Sequence, residues 1–402
     1  MAEFGAEAET FRSEARGWLA ANFPAALKSD PAAQLAPAMG GTPTPDAVLW
    51  ARRTGEKGWG TPTWPAVYGG GGLTREKSQV LAEEMAAIGA RNPIGGMGVM
   101  MFGPTLLEVG TEEQKRRHIP PIVRGELRWC QGYSEPGAGS DLASLQTRCE
   151  DKGDHWLING QKIWTSEANL ADWCFCLVRT DPTRKHDGIS FMLIDMRTAG
   201  VETRPIRLIN GASPFCETFF TDVKVPKENL MGPLNRGWTI AKRLLQFERE
   251  NISASLGAGG SPALGQTGSV DALALERLGT APDGRLADAD LRHRLAGHRI
   301  DARAFQLTTR RASLEASANQ GPTAASSIMK YAGAKIAQDR AELAVEAMGG
   351  EGLGWESEDF ASTDLALTRA WLRSKANSIE GGTSEINLNV VAKRVLGLPD
   401  PQ

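Results

Sequence analysis

One stretch, Gln131 to Ser166, constrains this chain more than any other. It opens with Gln131-Gly132-Tyr133-Ser134-Glu135-Pro136-Gly137-Ala138-Gly139-Ser140-Asp141. It closes with Asn159-Gly160-Gln161-Lys162-Ile163-Trp164-Thr165-Ser166. The first half holds too many Gly and Pro residues for a helix or a central strand, so it reads as a loop. Gly137 and Gly139 let backbone N–H groups approach a ligand closely, and Ser134, Ser140 and Asp141 add polar side chains. The second half reads as a strand, an Asn-Gly turn and another strand, which makes a hairpin. It presents the flat indole of Trp164 beside two hydroxyls, Thr165 and Ser166. A polar loop facing an aromatic ring and two hydroxyls suits a flat heterocycle with a polar tail.

The 402 residues suffice for two or three domains. A net charge of −3 gives no footing for a nucleic-acid or membrane-surface partner. No apolar run approaches the ~20 residues that span a bilayer. Met1 to Glu9 is acidic and lacks the apolar segment of a signal peptide, so a cytoplasmic location is expected. Cys130, Cys149, Cys174, Cys176 and Cys216 have neither metal-ligand nor disulfide-framework spacing, so no metal site is expected. Reduced, buried thiols are expected instead, with Cys174 and Cys176 on one face of a strand.

Periodicity divides the chain into three: a helical region 1–127, a strand-rich region 128–236 and a helical region 237–402. In the first, Phe4, Phe11, Ala15 and Leu19 fall on one helix face. The Pro-rich segment 24–45 reads as a loop, and helices are predicted at 74–89 and 112–119 as a tight hairpin around the Gly- and Met-rich stretch 95–103. In the second, strands are predicted at 155–163, 173–179, 189–196, 201–208 and 217–225. Five or more short strands suggest a small barrel or sandwich. In the third, helices are predicted at 238–255, 288–317 with Asp288 as N-cap, 323–348 and 364–379, around an irregular excursion at 257–285. A four-helix bundle is the economical arrangement, giving an α+β chain overall.

The loop Ser134-Glu135-Pro136-Gly137-Ala138-Gly139-Ser140-Asp141 and the later Asn159-Gly160-Gln161-Lys162-Ile163-Trp164-Thr165-Ser166 resemble the acyl-CoA dehydrogenase family. Gly110-Thr111-Glu112-Glu113-Gln114-Lys115 and Phe219-Phe220-Thr221-Asp222-Val223-Lys224-Val225-Pro226 extend the resemblance over nearly the whole chain. It implies a helical domain, a β-domain and a helical bundle. It also implies FAD, an acyl-CoA substrate, an electron-transfer flavoprotein as acceptor, and a role in β-oxidation-type lipid metabolism. The reaction it implies is α,β-dehydrogenation to the 2,3-enoyl-CoA. That chemistry needs a desolvated base near the α-carbon, donors at the thioester carbonyl, and a flavin over the β-carbon.

Two carboxylates compete for the base. Ala241, Leu245, Glu248 and Ile252 are spaced four, three and four residues apart, which sets Glu248 on an apolar stripe. Neither Leu244 nor Ile252, its i−4 and i+4 neighbours, is a cation. Glu380 precedes Gly381-Gly382-Thr383-Ser384-Glu385-Ile386. Much of the family places its base in this loop as Glu-Gly-Thr. Alignment on Gly382-Thr383 puts Gly381, not Glu380, at that position. A branch of the family instead carries a Glu-Arg pair on the first bundle helix, where Glu248-Arg249 stands. Glu248 is therefore the assigned base and Glu380 the alternative.

The resemblance assigns the remaining roles. Gln131, Gly132, Ser134, Gly139 and Ser140 line flavin and thioester, with Ser140 also toward substrate. Trp164, Thr165 and Ser166 pack on the isoalloxazine ring. Thr383, Ser384 and Glu385 meet the flavin from the C-terminal loop. The Gly381 N–H holds the thioester oxygen, and Arg249 faces the substrate. Glu346, Gly349 and Gly350 match a glycine turn that reaches a neighbouring subunit's FAD, with Glu346 where the family usually has Gln. A homodimer, a homotetramer or a heterotetramer with a paralogous chain follows. Two alternatives keep the fold: a flavin oxidase or monooxygenase, and a non-catalytic subunit of a heteromeric enzyme.

Overall fold

The computed structural model describes residues 6–35, 42–257, 269–319 and 325–399. Two compact units emerge: Met1–Ile206 with Pro214–Leu245, and Arg207–Ser213 with Gln246–Gln402.

The first unit begins with helices α1 (Ala6–Asn22), α2 (Pro31–Leu35), α3 (Pro45–Glu56), α4 (Arg75–Ala87), α5 (Gly103–Val109) and α6 (Glu112–Val123). Ala8, Phe11, Ala15 and Leu19 form the buried stripe of α1, against Trp50, Trp59, Val80 and Leu81. Phe4, expected on that stripe, lies outside the described residues. The segment read as a Pro-rich loop holds a helical turn at Ala25–Ser29 and α2, and Pro45 opens α3. Proline is favourable at the first position of a helix, where its missing N–H costs nothing. Thr44 caps that start, its Oγ1 accepting from the Ala47 N–H at 3.2 Å. The expected two-helix hairpin has a third helix inside it, α5, after a π-turn at Gly98–Phe102. Its small residues serve close packing: a Cβ at Gly103 would lie 2.1 Å from the Trp64 ring.

The sheet of this unit has eight strands: β1 (Trp129–Gly132), β2 (Arg148–Asp151), β3 (His155–Ser166), β4 (Trp173–Arg179), β5 (Ile189–Asp195), β6 (Val201–Ile206), β7 (Phe215–Pro226) and β8 (Leu230–Met231). They follow the order β6-β7-β3-β2-β4-β5-β8, with β1 parallel to β4. The five predicted runs are β3 to β7. The strands β1, β2 and β8 are too short to show alternation. Gln131 and Gly132 belong to β1 and not to the loop. The predicted hairpin is also corrected. Asn159 and Gly160 lie inside one twelve-residue strand, β3, paired antiparallel with β7. Gly160 is there for close approach, since a Cβ would sit 2.6 Å from the Thr147 hydroxyl and 2.7 Å from its Cα.

β4 is buried on both faces, as its unbroken apolar sequence requires. Trp173, Phe175 and Leu177 join Phe102, Trp129, Phe191 and the start of the later helix at Ile240, Ala241 and Leu244. Cys174, Cys176 and Val178 join Cys130, Cys149, Ile158 and Cys216 on the other side. All five thiols are free and buried, as the spacing predicts. Burial pushes the Cys149 thiol up to about 12.

Helix α7 (Gly237–Gly257) runs from the first unit into the second, which continues with α8 (Val270–Leu278), α9 (Ala289–Asn319), α10 (Ala325–Met348), α11 (Ser362–Ser374) and α12 (Ser384–Val390). The four helices expected of a bundle are α7, α9, α10 and α11. Asp288 caps α9 as predicted, its carboxylate accepting from the Leu291 N–H at 2.9 Å. The excursion at 257–285 contains a helix, α8, capped by Ser269 at 3.1 Å from the Ala272 N–H. Residues 258–268 of that excursion lie outside the described residues. Leu291, Leu295, Ala341, Ala344, Ala347 and Leu367 form the core of this unit with Ala274 of α8. Among the described residues no helix is long and apolar enough to cross a membrane.

Candidate functional site

The loop after β1 is held at several points. The N–H groups of Glu135 and Ala138 each donate to the other's carbonyl at 3.0 Å, which closes the Glu-Pro-Gly-Ala turn. The Ile163 N–H of β3 donates to the Ser134 carbonyl at 2.9 Å. The Glu135 carboxylate turns inward and is 8% exposed. It accepts from the Gln146 N–H at 2.6 Å, the Thr147 N–H at 2.8 Å and the Thr147 hydroxyl at 2.6 Å. The Lys162 ammonium, 0% exposed, donates to it at 2.8 Å and to the Tyr133 carbonyl at 3.0 Å. Burial alone raises the Glu135 carboxyl. The Lys162 charge and these hydrogen bonds outweigh it and hold the group below its ordinary value, ionised at neutral pH. Beyond the loop, the buried Arg179 guanidinium donates to the carbonyls of Ala143 at 2.6 Å and Leu145 at 3.2 Å.

Just past Lys162, β3 slips its register against β7 before Thr165. Trp164 takes a left-handed φ of 60°, unusual for a bulky residue. The bulge turns its indole outward, 53% exposed, with an edge toward Phe215 at 6.1 Å. Thr165 turns inward and is fully buried. Its hydroxyl has no hydrogen-bond partner among the described residues, and neither has the buried side-chain nitrogen of Gln131. Orphaned buried polar atoms are costly unless something else satisfies them. Gly137 and Gly139 face open space, where a Cβ would meet nothing within 4 Å. Ser140 beside them is exposed, and Ser134 and Ser166 are half-buried. Gly132 differs: a Cβ there would lie 2.8 Å from the Cys174 sulfur, so this glycine serves the core. An exposed indole, two unsatisfied polar atoms and an open glycine backbone fit a flavin.

In the second unit, a loop joins α11 to α12. Gln338 of α10 donates to the carbonyls of Ser374 at 3.1 Å and Lys375 at 3.3 Å, and to the Ser378 hydroxyl at 3.2 Å. The Lys330 ammonium, also from α10, donates to the Asn377 carbonyl. Gly381 and Gly382 have φ of 64° and 92°, left-handed values that glycine adopts without strain. Thr383 caps α12, its hydroxyl 3.2 Å from the Ile386 N–H. The Asn387 amide donates back to the Gly382 carbonyl at 3.0 Å. Ser384 and Glu385 occupy the first turn of α12, where Glu385's own N–H and the Thr383 hydroxyl hold its carboxyl below the ordinary range. Glu380 is half-exposed and paired with Arg373 at 2.7 Å.

The glycine turn after α10 is also tied down. Glu346 pairs with Arg294 of α9 at 2.6 Å. Gly349 has a φ of 58°, and Gly350 faces open space. Glu351 pairs with Arg277, which also grips the buried Asp364 at 2.9 Å. Glu248 and Arg249 lie on the backbone of α7, and their side chains are outside the described residues. The residues that sequence reasoning missed are Glu135 and Lys162. Their signal was present: Trp156, Ile158 and Lys162 share the inward parity of β3, and a lysine there needs an anion.

Family models of the acyl-CoA dehydrogenase N-terminal, middle and C-terminal domains match residues 5–126, 130–223 and 235–396. The acyl-CoA dehydrogenase IpdE1 of Mycobacterium tuberculosis is 35% identical, over 98% of either chain. A solved structure named the Tcur3481-Tcur3483 steroid ACAD is 30% identical with a TM-score of 0.76, covering 99% of both chains. The ChsE4-ChsE5 complex from Mycobacterium tuberculosis is 28% identical with a TM-score of 0.74, covering 100% of both.

Proposed function

We propose that this chain, which belongs to the acyl-CoA dehydrogenase family, dehydrogenates an acyl-CoA thioester across its α,β bond to the 2,3-enoyl-CoA. The observation that carries this reading is the bulge at Trp164, where the buried Thr165 hydroxyl stays unsatisfied next to an exposed indole. FAD, bound there, would supply the hydride acceptor for the β-hydrogen. Gln131 and Thr165 would satisfy its polar edge, with Ser166 beside them. Trp164 would stack on its ring, and the backbone at Gly132, Ser134, Gly139 and Ser140 would line flavin and thioester. Glu248 would take the α-proton, and the Gly381 N–H would donate to the thioester carbonyl as it gains enolate character. Arg249 would bind substrate.

From the C-terminal loop, Thr383, Ser384 and Glu385 would meet the cofactor. Glu346, Gly349 and Gly350 would serve a neighbouring chain's cofactor. The carboxylate at Glu346, already engaged with Arg294, favours a partner of different sequence. Two similar structures carry names that pair two different chains, which supports the same reading. A steroid-derived acyl group is the substrate class to test first, because one of those names specifies a steroid. An electron-transfer flavoprotein would take the electrons onward.

The test is an anaerobic visible spectrum before and after adding CoA thioesters of straight, branched, dicarboxylic and steroid-derived acyl groups. Bleaching of a yellow protein by one of them supports dehydrogenation and identifies the acyl class. A yellow protein bleached by none, yet consuming oxygen with a substrate, would make it an oxidase. A colourless protein would reject the flavin site.

A further inference from the structure

The Glu135–Lys162 pair has no place in the chemistry, yet it is buried and closely bonded to the backbone around it. Both charges are out of water, an arrangement that costs stability relative to an apolar pair of the same volume. What it gains is geometric. Lys162 donates to the carbonyl of Tyr133, one residue before the loop that begins at Ser134. Glu135 gathers the backbone of Gln146 and Thr147, which lead into β2. Lys162 itself stands two residues before Trp164 and three before Thr165, at the start of the bulge. One ion pair therefore fixes the loop on one side of the exposed indole and the strand that carries the indole.

We infer that Glu135 and Lys162 are positioning residues for the flavin. They hold the Ser134–Asp141 loop and the Trp164–Thr165 bulge in the spacing that the cofactor needs. The inference rests on the flavin reading above. Its signature is a split between flavin affinity and fold stability. A pair that only balances charge in the core could be removed as a unit without consequence for the cofactor. A pair that positions the loop could not, because the tie from Lys162 to Tyr133 goes with it.

The experiment uses the full chain, with flavin removed and then titrated back, and follows flavin fluorescence and visible circular dichroism. The double variant Glu135→Gln/Lys162→Met deletes both charges and keeps one acceptor oxygen, enough for the Thr147 N–H and hydroxyl but not for the Gln146 N–H as well. Its apo-protein is expected to melt within a few degrees of the wild type, while its flavin affinity falls about tenfold or more and the flavin's dichroic bands change. Thr147→Val removes one bond to Glu135 and leaves both charges. It is expected to weaken flavin binding about threefold. Should the double variant not fold, Thr147→Val decides alone. Wild-type affinity and spectra in the variant that folds would overturn the inference while the flavin site stands. Wild-type protein that takes up no flavin would overturn the site reading and the inference with it.

Discussion

The Ser134–Asp141 loop and the Ile379–Thr383 loop are both secured by side chains from outside themselves, but they place their charges oppositely. Under the first, the Glu135 and Lys162 side chains are 8% and 0% exposed. At the second, the Arg373 and Glu380 side chains are 30% and 41% exposed. Breaking one end of a buried pair strands a charge in a medium that cannot solvate it, whereas an exposed pair contributes little beyond what water already supplies. The second loop takes its shape instead from two left-handed glycines and from a neutral bond by Asn387, while Gln338 and the Lys330 ammonium tie down the Ser374–Ser378 turn that leads into it. One loop is held by charge and the other by backbone conformation. Substitutions should separate them.

The largest effect is expected at Lys162. Lys162→Ala leaves the Glu135 carboxylate buried without its cation and should cost about 3–5 kcal/mol of stability, read from urea unfolding followed by tryptophan emission. A loss below about 1 kcal/mol would erase the contrast with the exposed pair. The single variant is expected to be worse than the double one, because the damage comes from the charge left behind.

Next in size is the base. If the second loop is scaffold, its carboxylate is not the proton acceptor and the role falls to α7. Glu248→Gln should then slow thioester-driven flavin reduction about a thousandfold, in stopped-flow absorbance, and leave the flavin bound. Normal reduction by that variant would return the role to Glu380.

His118 extends the comparison to a buried group with no counter-charge among the described residues. It is 1% exposed, its ring meets Trp129 and Trp173 edge-on, and its Nδ1 has no partner among the described residues. Burial, and then the charge of Arg117, lowers it to about 4 from 6.5. Between those values the unfolded chain holds a proton that the folded one refuses, so stability falls as pH drops from about 6.5 to about 4. The full loss is about 3 kcal/mol. His118→Phe should flatten that slope in urea midpoints measured between pH 7 and about 4.5. An unchanged slope would assign the acid sensitivity to the carboxylates.

These contrasts also mark what was legible in the chain. The long elements were, because α1 and α9 repeat their apolar residues with one period and bury them as that period demands, and β4 is an unbroken apolar run buried throughout. The residues proposed to face the flavin were legible as a motif, although Gln131 and Gly132 proved to be strand. The Asn159-Gly160 pair misled because the same dipeptide that permits a tight turn also permits close approach of a neighbouring strand. Sequence alone does not say which need the glycine meets. Lys162 and Glu135 went unread for a related reason. Each looks like an ordinary polar residue of a loop or strand until pairing brings together residues 27 positions apart.

The smallest effect is expected at Glu380. Its partner Arg373 lies seven residues earlier in the chain, and both groups keep contact with water. Glu380→Gln should cost no more than about 1 kcal/mol of stability and leave the rate of thioester-driven flavin reduction within about threefold of wild type. The backbone that presents the Gly381 N–H is fixed by its own φ of 64° and by the Asn387 amide on the Gly382 carbonyl, neither of which needs the carboxylate. Asn387→Ala is the matching control. It removes the neutral tie to Gly382 and should slow reduction more than the loss of the charge does. If the order is reversed, the second loop is held by its ion pair after all, and the two regions share one principle.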